Sequence, residues 1–416
     1  MKYVFAATLI SLFTSQALAE NWPQWRGPEH NGVAQGDNYP THWGQDKNVL
    51  WKVALPGRSG STPVIWGDNI FVTSPSEGKN TLISFDRQGN EQWRVHVGDE
   101  RIGKHRQKGS GSNPSPTTDG QHVFAYFKSG DLACIDFAGE IVWKTNVQAR
   151  WGEDTLWWDL GTSPILTDDA VAVTVMQTGP SYLAAFDKST GELLWKQDRV
   201  SDAPEEAAQS YSTPILASQD GRSIIVVLGA DIVTAHDAAS GDEIWRVTGL
   251  NPTQHHYFRS IASPVQSDGI VVVPYARGGS LTAIRLGGKG DVTDSHIAWF
   301  KERISSDVPS PAAHNGRLYL CTDKGEAACL DIKTGDVLWQ DRLEKSRHSF
   351  SSSPVIAGRH IYMTREDGTT FVLEEGNEYR VVAKNELDEF TIATPVFVDG
   401  RLYLRTYEHL YCIGPK

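Results

Sequence analysis

The 416-residue sequence predicts an all-β fold, an eight-bladed β-propeller of four-stranded antiparallel blades. Three observations predict it. A Ser/Thr-Pro pair opens an apolar run eight times over, an Asp-Gly-Trp pattern recurs behind it, and seven of the fourteen tryptophans share one register. Repeats of about 40–50 residues that carry four short strands each are the sequence signature of a propeller.

The pairs are Thr62-Pro63, Ser115-Pro116, Ser163-Pro164, Thr213-Pro214, Ser263-Pro264, Ser310-Pro311, Ser353-Pro354 and Thr394-Pro395, at spacings of 53, 48, 50, 50, 47, 43 and 41 residues. Proline can start a strand, where its missing N–H is tolerated. A turn leads to a second strand such as Leu318-Tyr319-Leu320, and a tight turn such as Lys324-Gly325 or Asp367-Gly368 leads to a third. The third strand ends in Asp. A Gly-closed turn and a Trp-bearing fourth strand follow, as in Asp187, Gly191 and Trp195, Asp237, Gly241 and Trp245, or Asp331, Gly335 and Trp339. Asp caps the N–H groups of such a turn, and Gly takes its left-handed position.

The tryptophans predict how the ring closes. Trp51, Trp93, Trp143, Trp195, Trp245, Trp299 and Trp339 hold the fourth-strand position, while the eighth copy ends after three strands. Trp51 precedes the first Ser/Thr-Pro, so an N-terminal strand is expected to complete the last blade and leave no free sheet edge. Each buried Trp would remove about 150–250 Å² from water, which makes these seven core between blades. Two copies depart from the pattern. The fifth has Arg285 in place of Asp and an insert, Gly287-Gly288-Lys289-Gly290, read as a long hairpin turn; the seventh has Glu374 and no Trp.

Residues 1–19 read as a signal peptide: Lys2, an apolar run from Val4 to Phe13, and Ala17-Leu18-Ala19 as a cleavage site with no Cys behind it. Residues 20–45 form an N-terminal arm and 46–416 the propeller. The expected location is the periplasm or outside the cell, with no membrane anchor. A net charge of −12 without a basic block argues against nucleic acid, whose phosphates need a positive footprint. Cys134, Cys329 and Cys412 share one repeat position with Ala185, Ala235 and Ala283, and so read as small buried apolar residues. Only Cys321 and Cys329 lie close enough in one hairpin to pair.

The Asp-x-x-x-Gly-x-x-x-Trp repeat resembles that of the pyrroloquinoline quinone (PQQ)-like propellers, which include quinoprotein alcohol dehydrogenases and the propeller lipoprotein of the barrel-assembly machine. The likeness covers essentially the whole chain after the leader. Trp22-Pro23-Gln24-Trp25-Arg26-Gly27-Pro28 and the ending from Arg405 to Ile413 resemble a bacterial subgroup of PQQ-binding-like repeat proteins. The resemblance to the dehydrogenases implies PQQ, with calcium, over a Trp floor and under a disulfide of adjacent cysteines. No adjacent Cys pair occurs, and no metal trio or Asp base maps onto matching motifs. The resemblance to the lipoprotein implies an envelope protein as partner, although the lipidated Cys is absent.

Function is expected in the loops that enter each innermost strand, because these diverge where the rest repeats. Five residues before the prolines stand Arg58, Asp159 and Arg259 among others, and the longer loops add His105, Arg106, Lys108, Trp157, Trp158, Tyr211, His255, His256, Tyr257, Arg347 and His348. Arg58 and Arg259 are four blades apart and are expected to face each other across the mouth. Arg58, His105, Trp157, Asp159, Tyr211, His256, Arg259, Arg347 and His348 are the candidate ligand residues, suited to a small anionic or sugar-like ligand. The alternative for each Arg is pairing with a local acid such as Glu153, Asp154, Glu205 or Glu206. No metal site is expected, since His255 and His256 would point apart on an extended segment. Three readings stay open: a non-catalytic binding or scaffold protein, a PQQ-dependent alcohol or sugar dehydrogenase, and a polysaccharide lyase or hydrolase. The two Arg are expected to be removable without loss of stability.

Overall fold

Eight antiparallel sheets surround one axis in the structure, a computed structural model that describes residues 20–415. The leader read over residues 1–19 lies outside the described residues. Blades 1 to 7 span residues 64–99, 117–146, 165–198, 215–247, 265–302, 312–342 and 355–386, and the chain runs outward from the axis through each. Blade 8 joins Val396–Val398, Arg401–Arg405 and His409–Ile413 to the N-terminal strand Val49–Ala54, which pairs antiparallel with its third strand. The first strand of the fold therefore closes the last blade.

The Ser/Thr-Pro pairs meet at the axis in a hydrogen-bonded ring. The backbone N–H of Thr62 donates to Ser115 Oγ at 2.9 Å, that of Ser115 to Ser163 Oγ, and that of Ser163 to Thr213 Oγ1. The series runs on through Ser263, Ser310, Ser353 and Thr394. It closes when Thr394 N–H donates to Thr62 Oγ1 at 3.1 Å. Only Ser or Thr puts an acceptor oxygen one bond beyond Cβ, which explains the residue type before each proline.

The outer registers hold through Trp and Gly together. Trp51, Trp93, Trp143, Trp299 and Trp339 each donate their indole N–H to a backbone carbonyl in the next blade's turn, at 2.8–3.0 Å. For Trp51, Trp93, Trp143 and Trp299 the ring also lies on the turn glycine of that blade, so a Cβ on Gly191 would come within 2.6 Å of Trp143. The glycine thus serves both its left-handed φ and this close approach. Trp143, Trp245, Trp299 and Trp339 are buried, whereas Trp51, Trp93 and Trp195 are half-buried, because the outermost strand leaves one edge of the ring to solvent. Asp187 caps its turn as expected, accepting from Ser189 and Thr190 N–H.

Blade 5 lacks the docking turn, and its insert takes over the task. Gly290–Asp291 adds a fifth, parallel strand to blade 4 opposite Trp245 and Arg246, so the insert forms a reach-back strand in place of the expected long hairpin turn. Trp245 is sealed beneath it and donates to Gln219 Oε1 within its own blade.

The arm crosses the channel on the side away from the entry loops. Trp22 bridges to Ile65 of blade 1, and Pro23 O accepts from Thr118 N–H of blade 2. Buried Arg26 then donates to Pro311 O at 2.7 Å and Pro354 O at 2.9 Å, in blades 6 and 7. Arg26, Arg199 and Arg405 are paired with neutral acceptors and pushed down to about 9 by burial. Arg405 links blade 8 to Thr73 O, Gly57 O and Ser74 Oγ around blade 1. The four cysteines are buried and free, and burial pushes the thiol of Cys412 up to about 11 and those of Cys134 and Cys329 to about 12.

Two outcomes follow for stability. Gly241→Ala would bring a Cβ within 2.4 Å of Trp195 at φ +79°, whereas Gly221→Ala has φ +76° and open space. Both should pay about 1–2 kcal/mol for the left-handed backbone, and Gly241→Ala about 1–3 kcal/mol more for overpacking, as read by urea unfolding. Buried His236 lies between Thr234 Oγ1 and Gly241 O, and desolvation pushes it down to about 4 from 6.5. The unfolded chain takes up a proton that the folded one refuses, so stability is expected to fall as pH drops from about 6.5 to about 4. Thermal melts across that window should show a smaller fall in His236→Gln.

Candidate functional site

Two kinds of loop reach the mouth. The long entry loops come from the outermost strand of one blade to the innermost strand of the next. The tight turns between second and third strands lie on the same side. Together they ring a cavity of about 400 Å³ on the axis. The eight hydroxyls of the inner ring form its waist, Trp25 of the arm lies at its foot, and His105, Lys108, Trp158, Asp159, Tyr211, Arg259 and Arg277 line it above.

The charged groups here are largely committed to one another. Asp159 accepts from Lys104 N–H and His105 N–H and pairs with the buried ammonium of Lys128. It fixes the loop that enters blade 2. Arg259 makes a two-pronged pair with Asp307, both contacts at 3.0 Å, and its Nε lies 3.5 Å from Glu206. Lys108 reaches from the blade 2 loop to Glu366 of blade 7 at 2.5 Å. Asp323, half-buried and near Asp307, has its carboxyl pushed up by desolvation and by that neighbouring charge. Arg277 differs. Its nearest acid is Asp307 at 4.0 Å, its side chain is 45% exposed, and it follows Ala276 in two successive left-handed residues at φ 54° and 55°. Such non-glycine conformations cost about 1–3 kcal/mol each and persist where the surroundings impose them.

Aromatic side chains make the rim. Trp157, Trp158 and Tyr257 are each close to half exposed. Trp157 and Tyr257 have ring centroids 6.5 Å apart, and His105 lies 5.9 Å from Trp158. Backbone contacts hold these loops: Trp157 N–H donates to Gln209 Oε1, and Trp158 N–H to the Tyr211 hydroxyl. Trp158 Nε1 donates to Glu206 at 3.0 Å. His105 Nδ1 accepts from Gln107 and Lys108 N–H, which leaves Nε2 to carry the proton.

Of the nine residues expected from sequence, His105, Asp159, Tyr211 and Arg259 line the cavity. Trp157 stands on the rim, and His256 pairs with Glu205 at 3.1 Å in the same region. Arg58 is exposed and outside the lining, so it does not mirror Arg259 there. Arg347 contacts His348, its chain neighbour, and neither lines the cavity. Sequence reasoning missed Lys128, Arg277, Asp323 and Glu366 because it treated the second-to-third-strand turns as turns only. A signal was present: Lys128, Asp323 and Glu366 each stand two residues before the turn glycine. Trp25 of the arm also lines the cavity, between Pro23 and Arg26, which hold the arm on both sides.

The residues do not suit a calcium-bound quinone. Asp159 is the one carboxylate in the cavity lining, and its oxygens are already taken. Among the described residues, Glu389, Glu408 and His409 could share a metal, but they lie off the cavity. Glu389 there already accepts from Thr406 Oγ1 and the Tyr411 hydroxyl.

A family profile described as "Outer membrane protein assembly factor BamB" matches residues 33–179 and 137–375. The assembly factor BamB of Yersinia pestis is 24% identical over 298 residues, 70% of this chain and 68% of that one. The BamB of Kangiella koreensis is 24% identical over 220 residues, 51% of this chain and 50% of that one. Tetrathionate hydrolase of Acidithiobacillus ferrooxidans is 21% identical over 309 residues, 69% of this chain and 54% of that one. Among solved structures, BamB from Moraxella catarrhalis superposes with a TM-score of 0.62 at 14% identity, covering 88% of this chain and 99% of its own. Quinohemoprotein alcohol dehydrogenase from Comamonas testosteroni gives 0.70 at 13% identity, covering 95% and 81%. At these identities the structural likeness shows the fold alone.

The ion pairs change what removing the two arginines should do. Arg259→Ala strands Asp307 beside Asp323 in a buried setting and should cost about 3–5 kcal/mol. Arg58→Ala should leave the unfolding free energy within about 0.5 kcal/mol. Denaturant unfolding of the two variants checks both.

Proposed function

The chain belongs to the family described as outer membrane protein assembly factor BamB, and from that premise we propose that it is a non-catalytic scaffold of the cell envelope, docking another envelope protein on the rim of its channel mouth. The aromatic rim carries the reading. Trp157, Trp158 and Tyr257 are 45%, 46% and 48% exposed on the entry loops of blades 3 and 5, with Ile102 and Val200 more exposed still on loops of the same side. Half-exposed Trp and Tyr on loops held by hydrogen bonds are what protein hot spots are made of: large apolar area at little entropic cost. The pairing of Lys108, Arg259 and Asp159 supports a binding role over a catalytic one, because groups locked in ion pairs are poor proton carriers. Export to the periplasm through the leader at residues 1–19 belongs to the same proposal. Among the described residues no helix is long and apolar enough to cross a membrane.

Photo-crosslinking from Trp157 in cells, followed by identification of the captured envelope protein, tests the proposal. The double variant Trp157→Ala, Tyr257→Ala should weaken that complex by about tenfold or more with an unchanged Tm. Full affinity in the double variant would sink the rim as the docking surface.

A further inference from the structure

Below the rim the cavity changes character. Its volume of about 400 Å³ falls within the range of about 300–1,000 Å³ usual for small-molecule sites. The arm closes its foot. Pro23 is held by blade 2 and Arg26 by blades 6 and 7, so Trp25 between them lies beneath the channel, with the Arg26 guanidinium 5.5 Å from its ring centroid and the indole part of the cavity lining.

The waist is the ring of eight hydroxyls. Each oxygen accepts one backbone N–H from the blade before it, and none donates its own hydrogen to a group among the described residues. A hydroxyl has one donor and two acceptor sites, so each keeps an O–H and a lone pair for the lumen. Water or a ligand must meet that capacity. A ring of groups that both give and take hydrogen bonds complements the edge of a polyol. An indole face complements the C–H face of a sugar ring.

Charge narrows the class. Lys108, Lys128 and Arg259 are matched by Glu366, Asp159 and Asp307, so a multiply charged anion finds no net attraction from them. Arg277 alone among the lining cations has its nearest acid as far as 4.0 Å away, and its backbone conformation holds it over the mouth. One spare guanidinium suits one carboxylate.

We propose that the cavity binds a single pyranose-sized sugar acid, its face on Trp25, its hydroxyls in the Ser/Thr ring and its carboxylate on Arg277. This site shares Trp158 with the aromatic rim but not Trp157 or Tyr257, and it goes beyond the docking role proposed there.

Calorimetric titration of the purified protein with D-glucuronate and with D-glucose tests it. Glucuronate should bind, and glucose about tenfold more weakly. Arg277→Ala should bring glucuronate down to the level of glucose and leave glucose unchanged. Trp25→Ala should weaken both by about tenfold or more, while Trp25→Phe, which keeps a flat ring on the arm, should retain most binding. No saturation by either sugar at about 10 mM overturns the proposal, as does binding that survives Trp25→Ala in a protein of normal Tm. PQQ displacing glucuronate at lower concentration in a Trp25-dependent way overturns the sugar assignment. The rim variant Trp157→Ala, Tyr257→Ala should bind glucuronate normally, so a failed rim and a failed cavity give different results.

Discussion

The hydrogen-bonded ring at the axis is the constraint on which the rest depends. Eight backbone N–H groups would otherwise be buried where the inner strands crowd together, and a buried unpaired N–H costs about 1–3 kcal/mol. Each is met by the hydroxyl of the next blade, and the last donates to the first. The bonds fix the radial position and height of every inner strand relative to its neighbour. The proline that follows each hydroxyl residue starts the strand without adding another N–H to satisfy. One dipeptide therefore sets the pitch, the symmetry and the closure of the fold, and its unused O–H groups define the waist of the cavity.

Away from the axis the blades splay, and a second device is needed. Trp from one blade lies on the turn glycine of the next and ties its indole N–H to that turn. The inner ring is polar and the outer contact mostly apolar, as the geometry demands. Near the axis backbone groups face one another, while at the circumference wedge-shaped gaps must be filled with volume. The fifth blade shows the rule by substitution: with no docking turn to receive Trp245, the chain sends back Gly290–Asp291 to cover it. Where the strands of blade 8 come from both ends of the chain, Arg405 adds a buried link to blade 1.

A rigid ring of this kind leaves its loops free to vary. On the entry side the charges have settled into pairs that cross between blades, such as Lys108 with Glu366 and Arg259 with Asp307. These pairs hold the long loops in place, with Trp157 and Tyr257 outside the cavity lining and Trp158 at its upper edge. The opposite side is closed by the arm, whose two anchors fall on opposite sides of the channel. The molecule therefore offers two different environments in series, an apolar rim above and a hydroxyl-lined cup below.

The sequence by itself determined the number of blades, the order of strands within them and the closure by the strand around Trp51, because each depends on local chemistry repeated in register. A Ser/Thr before Pro, an Asp and a Gly at a turn, and a Trp four residues after the Gly are short-range signals, and repetition makes them unmistakable. It also marked the entry loops as the place where the repeat lapses, and His105, Asp159, Tyr211 and Arg259 do line the cavity. Only the tertiary structure decided what those residues do. Arg259 and Asp159 are spent on partners that come from other blades, tens of residues away in the chain, and no spacing rule links such pairs. Trp25 lies in a segment without repeats, so its place under the channel depends on anchors in blades 2, 6 and 7. Repeats specify what recurs between neighbours; a site at the axis is assembled from residues that are neighbours only once the ring has closed.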